Sequence, residues 1–134
     1  MKIQVSTDYA TQILQYLHRN RGEVHTATSI VAFMNISYPL FTKIANQLKK
    51  GNFLSSVQGR NGGYQLAKPA EEISFYDVFL CMEGDLSLRH CLKKGGKPCR
   101  NGELHTCKMQ GFFRSVQEKI IADMSNLYIA DLAS

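Results

Sequence analysis

Near the start of the chain apolar residues recur at helical spacing, with Ala10, Ile13, Leu14 and Leu17 on one face among polar neighbours. Ser6-Thr7-Asp8 can cap this helix and Asn20-Arg21-Gly22 ends it. A shorter helix is predicted over Thr26 to Met34, carrying Ile30, Val31 and Phe33, with a turn at Asn35-Ile36-Ser37. Ser37 caps a third helix, where Pro39 is tolerated in the first turn and Leu40, Ile44 and Leu48 make an inward stripe. Lys49-Lys50-Gly51 stops it with cations and a C-terminal glycine. Two strand-like runs, Phe53 to Val57 and Tyr64 to Ala67, flank the glycine-rich turn Gln58-Gly59-Arg60-Asn61-Gly62-Gly63. Ile73 to Met82 is a further apolar helix, ending at Glu83-Gly84-Asp85.

Three helices followed by a β-hairpin make a winged helix-turn-helix, so the expected fold is mainly α with a small β-hairpin wing. Beyond it, Met109, Phe112, Phe113, Val116, Ile120, Ile121, Met124, Leu127 and Tyr128 predict one long C-terminal helix. Its adjacent apolar pairs make a surface wider than one stripe, which suits dimerisation. The expected organisation is a winged helix-turn-helix over 1–82, a cysteine-rich segment over 83–107, and a dimerisation helix with tail over 108–134.

Charge sharpens this division. Residues 1–70 carry eight Lys/Arg against Asp8 and Glu23, whereas residues 71–134 carry eight against nine acids. A basic first half suits a polyanion such as double-stranded DNA. In a helix-turn-helix the N-terminal residues of the second helix lie nearest the base edges. Tyr38, Pro39, Thr42, Lys43 and Asn46 face away from the inward stripe and are the candidate DNA-reading residues. Arg60 at the hairpin tip, with Gln58 beside it, is placed to enter a minor groove.

No apolar run approaches the length of a membrane span and no signal-peptide pattern opens the chain, so a soluble cytoplasmic protein is expected. Thiols stay reduced in that compartment. Three of the four cysteines, Cys91, Cys99 and Cys107, nevertheless share one window, with seven residues between successive members. Gly95, Gly96, Pro98 and Gly102 make that window a loop able to wrap one small object, and Lys93, Lys94, Lys97 and Arg100 favour thiolates. Soft thiolates suit an iron–sulfur cluster. His90 or His105 could instead complete a zinc site, although zinc cysteines are usually paired more closely. Cys81, inside the apolar helix, fits a buried small hydrophobe. With no CxxC, nucleophile–base pair or cofactor loop, neither an enzyme nor a small-molecule substrate is expected.

The run Gly59-Arg60-Asn61-Gly62-Gly63-Tyr64-Gln65-Leu66-Ala67-Lys68-Pro69 through Ser74 resembles the wing signature of the bacterial Rrf2 family of transcription regulators. The resemblance runs from Ser6-Thr7-Asp8-Tyr9-Ala10 to Tyr128-Ile129-Ala130-Asp131-Leu132 and so spans nearly the whole chain. It implies a winged-helix homodimer joined by the C-terminal helix, with a cluster on the three-cysteine loop before it. In IscR-like members a histidine three residues after the third cysteine is the fourth ligand, but Gln110 stands there in this chain. NsrR-like members use an aspartate near the start of helix one, donated by the other subunit, and Asp8 matches that place. The implied site is therefore Cys91, Cys99 and Cys107 of one subunit with Asp8 of its partner, holding a 4Fe-4S rather than a 2Fe-2S cluster. The spacing of seven exceeds the five usual in many relatives. The implied function is a repressor at a twofold-symmetric operator, responding to nitric oxide, iron or redox state. A metal-free thiol switch on the same cysteines and a zinc-stabilised DNA-binding protein remain as alternatives.

Overall fold

The computed structural model describes residues 2–89, 92 and 108–132. The elements are α1 (Val5–Arg19), α2 (Ala27–Met34), α3 (Tyr38–Lys50), β1 (Leu54–Val57), β2 (Gly63–Leu66), a 3-10 turn (Ala70–Glu72), α4 (Phe75–Glu83), α5 (Lys108–Ser125) and α6 (Ile129–Leu132). The described residues thus form a mainly helical fold with one antiparallel hairpin.

Local chemistry sets most of the boundaries. Thr26 caps α2, its hydroxyl accepting from the Ser29 N–H at 3.1 Å. The helix ends at Asn35 in the left-handed conformation (φ 55°), which asparagine tolerates. Ser37 caps α3 by accepting from the Leu40 N–H at 3.3 Å. A reciprocal capping box between Ser74 and Asp77 starts α4. α1 differs from expectation: it begins at Val5 after Gln4, and neither Ser6 nor Thr7 caps it.

One core joins these pieces. Ala10, Ile13, Leu14 and Leu17 of α1 meet Ile30 of α2 and Phe41, Ile44, Ala45 and Leu48 of α3. Each fully buried large aliphatic or aromatic side chain contributes about 1.5–3 kcal/mol. The inward face of α3 is therefore centred on Phe41 and Ile44, while Leu40 is only half-buried. Phe33 is 60% exposed, with its ring against Tyr16 at 4.6 Å.

The hairpin pairs Leu54 with Leu66 and Val57 with Gly63. Its inner strand also bridges the α1–α2 link, where the His25 N–H donates to the Tyr64 carbonyl at 3.0 Å and the Tyr64 N–H to His25 at 2.7 Å. A Cβ on Gly63 would collide with the His25 carbonyl, so this close approach requires glycine. The Tyr64 ring meets Phe41 edge-on at 5.3 Å, fixing the wing against α3.

The C-terminal helix is shorter than its apolar pattern predicts. α5 stops at Ser125, and the next residues leave it to pair with the strand-like residues before α4. Phe75 N–H donates to the Leu127 carbonyl at 2.6 Å, and Ile129 N–H to Ile73 at 2.8 Å. Ile129 then enters the main core, while Met124 joins Phe79 and Leu86 in a smaller cluster. Towards its N-terminal end α5 presents Met109 and Phe112, which are 54% and 62% exposed. No helix among the described residues is long and apolar enough to cross a membrane.

Candidate nucleic-acid interface and cysteine segment

α2, the Asn35 turn and α3 form a helix-turn-helix whose second helix turns Phe41, Ile44, Ala45 and Leu48 inward. The opposite side of α3 follows from the 3.6-residue period. Tyr38, Pro39, Lys43 and Asn46 are exposed there, and Thr42 is half-exposed. The Thr42 hydroxyl donates to the Tyr38 carbonyl at 3.0 Å, which leaves its lone pairs as the outward function. Lys49 and Lys50 extend the basic surface to the end of the helix.

The wing tip lies beside the start of this helix. Tyr38, Gln58, Gly59 and Tyr64 line one open cleft of about 260 Å³ between α3 and the hairpin. Gly59 takes φ 107°, and the Gly62 N–H closes the tip by donating to the Gly59 carbonyl at 3.0 Å. This turn projects Arg60 and Asn61 into solvent. Arg60 therefore stands as expected at the tip, and Gln58 is exposed near its root.

Cys91, Cys99 and Cys107, with His90 and His105, lie outside the described residues. Among the described residues no group of three or more His, Cys, Asp or Glu could hold a metal ion. Asp8 is described. It sits in the first turn of α1, exposed, with no hydrogen bond or ion pair for its carboxylate among the described residues. Cys81 is half-buried rather than fully buried, and its Sγ donates to the Gln47 carbonyl at 3.1 Å. Burial pushes this thiol's pKa up, which keeps it protonated and unreactive near neutral pH.

One residue of the site region was not anticipated. Glu83 ends α4 at the root of the cysteine segment, and its Oε2 accepts from the Gln4 N–H at 3.3 Å and the Thr7 hydroxyl at 2.5 Å. It supplies from another helix the capping carboxylate that α1 lacks. A carboxylate is unfavourable at its own helix C-terminus, and that misplacement is the signal in the sequence that Glu83 has a partner elsewhere.

A helix-turn-helix braced against a β-wing, with a cationic and hydrogen-bonding outer face, defines a winged-helix DNA-binding protein. The family model described as "Rrf2: Iron-dependent Transcriptional regulator" matches residues 3–134, and the chain belongs to that family. It is a transcriptional regulator and not an enzyme. It is 26% identical over 133 residues to the HTH-type transcriptional regulator NsrR of Shouchella clausii, covering 98% of this chain and 88% of that protein. NsrR of Oceanobacillus iheyensis is 29% identical over 131 residues, covering 92% of this chain and 89% of that one. Among solved structures, CymR (YrzC), the global cysteine regulator of B. subtilis, superposes with TM-score 0.80 at 20% identity, covering 99% of this chain and 96% of CymR. T. potens IscR gives 0.74 at 21%, covering 98% and 85%. At such identities these structures speak to the fold, and both agree with a mainly helical, winged architecture.

Proposed function

We propose that this regulator is a homodimeric repressor whose DNA affinity is set by an iron–sulfur cluster. The observation that carries the DNA-reading part is the contiguity of Tyr38, at the start of α3, with Gln58 and Gly59 of the wing along one cleft. Asn46 and Thr42 have the donors and acceptors to address base edges, with Pro39 setting the entry of the helix. Tyr38 and Lys43 suit phosphates or a thymine methyl and guanine. Arg60, with Gln58 as helper, reaches the neighbouring minor groove. A twofold dimer through α5 would set two copies of α3 against successive major grooves of a palindromic operator.

The donor set fits a cluster: three thiolates in a glycine-containing, cationic segment, and a carboxylate that is exposed and unpaired at the start of α1. Cys91, Cys99 and Cys107 of one subunit with Asp8 of the other would hold it, in the 4Fe-4S rather than the 2Fe-2S form. When bound, it would supply a centre reactive towards nitric oxide, oxygen or iron loss. Glu83 ties the root of that segment to the N-terminus of α1, so a change in the segment bears on the winged helix through two hydrogen bonds. This arrangement belongs to a cytoplasmic protein, where thiols stay reduced.

Selection of operator sequences from a random duplex pool, followed by fluorescence anisotropy at fixed salt, tests the DNA-reading part. Arg60→Ala is expected to weaken binding by about 1–3 kcal/mol and to relax sequence preference where the wing meets the minor groove. Undiminished affinity and preference would remove Arg60 from the interface. Iron and acid-labile sulfide per subunit, measured on anaerobically purified protein, test the cluster. Both should be present and should be lost in Cys99→Ala. Zinc or free thiols in their place would turn the segment into a zinc staple or a metal-free thiol switch.

A further inference from the structure

We infer that the recess between the C-terminal end of α1 and the chain leaving β2 is a binding site for a small organic carboxylate. It is a cleft of about 360 Å³ whose walls include His18, Arg21, Leu66, Lys68, Ala70 and Glu71. That volume falls at the small end of ligand pockets. His18 is the telling residue. It is only 8% exposed, and its ring nitrogens have no hydrogen-bond partner among the described residues. No described side-chain nitrogen or oxygen is both buried and unsatisfied, so the imidazole nitrogens reach solvent, and the cleft is a space that His18 lines. A nine-tenths buried imidazole that spends no hydrogen bond on the protein is placed to address a guest.

The surrounding charges choose the guest. Arg21 Nη1 donates to the His18 carbonyl at 3.0 Å, which offsets the negative end of α1 and anchors the guanidinium at the mouth with its other N–H groups free. Lys68 rests over the Phe53 ring at 5.0 Å. Neither cation has an ion-pair partner among the described residues. Two cations and an imidazole face one carboxylate, Glu71, and the guanidinium fork matches a carboxylate bidentately. Leu66 supplies an apolar wall for a short alkyl body.

DNA phosphate is the other anion to weigh, and the geometry disfavours it. Lys68 follows Gly62 of the wing tip by six residues, so at about 3.3 Å per residue the strand carries it roughly 20 Å from the tip. A recessed imidazole is also out of reach of a duplex backbone. Because Leu66 and Lys68 continue directly from β2, an occupant would bear on the same hairpin that carries Arg60.

The test uses the full-length chain with isotope-labelled histidine, titrated with sodium propionate against sodium chloride at matched ionic strength. The ring resonances of His18, assigned through His18→Gln, should shift saturably in the millimolar range while those of His25 stay put. Lys68→Gln and Arg21→Gln should each weaken propionate at least tenfold. If Arg21→Gln loses the dispersed spectrum of a folded protein, Lys68→Gln, at an exposed position, decides. Equal shifts with chloride, or wild-type affinity in the variants, would overturn the site. A duplex whose own affinity falls as much in Lys68→Gln and Arg21→Gln as that of propionate would reassign the cations to phosphate contact and overturn it equally.

Discussion

At Gly63 a single neighbour dictates the residue. The His25 carbonyl occupies the space where a Cβ would stand, and the paired hydrogen bonds between His25 and Tyr64 hold it there. Gly63→Ala must push the hairpin off the α1–α2 link, and a thermal or urea denaturation should show a loss of about 1–3 kcal/mol. Unchanged stability would mean that the bridge can move without cost. The glycine was visible in the sequence as part of a turn, but its reason was not, because the carbonyl it must admit lies 38 residues earlier. Cys81 shows the same limit. Its apolar neighbours predicted burial, and the carbonyl of Gln47 that accepts from its thiol could only be seen in the fold. Burial raises this thiol's pKa in the native state, so its contribution to stability is present below the unfolded thiol value of about 8.5 and fades as pH rises through the folded one. Tyr76, raised by burial first and then by the charge of Asp85, adds the same sign at still higher pH. Stability under reducing conditions should therefore fall as pH rises above about 8.5, and Cys81→Ser should flatten that fall. A variant as pH-sensitive as the wild type would remove Cys81 from the account.

Among elements, those set by local chemistry were the ones the sequence displayed. Thr26, Ser37 and Ser74 each cap the helix they precede, and Asn35 makes the left-handed turn between α2 and α3. The start of α1 was misread because its cap comes from Glu83, a residue 76 positions beyond Thr7. The end of α5 was misread for a similar reason. Leu127 and Tyr128 continue the apolar pattern, but their backbone pairs with the residues around Ser74, and that non-local pairing ends the helix. What remains of α5 leaves Met109 and Phe112 uncovered, and these are the side chains a second copy would bury. Phe112→Glu, which places a charge in that face, should convert a dimer into a monomer by light scattering while leaving the far-ultraviolet circular dichroism intact. A variant that still elutes as a dimer would move the interface off this end of α5.

For the whole molecule, two halves of the sequence were legible to different degrees. The DNA-reading half follows from periodicity, caps and a basic surface, and each of its candidate residues stands outward on α3 or the wing. The proposed sensing part rests on donor chemistry alone: three cysteines share one cationic window of the sequence, a donor set that suits a soft metal. As proposed, its geometry would depend on a second subunit, which no reading of one chain supplies. Asp8 shows the difficulty: among the described residues nothing bonds its carboxylate, and the proposed site would give it a partner only in a neighbour's cysteines. The most direct test is one anisotropy titration of a selected operator duplex, at fixed salt, with anaerobically purified protein before and after removal of its iron. The account predicts at least a tenfold change in affinity that disappears in Cys99→Ala. Equal affinity of the two forms would contradict it, leaving a winged-helix regulator whose iron does not govern DNA.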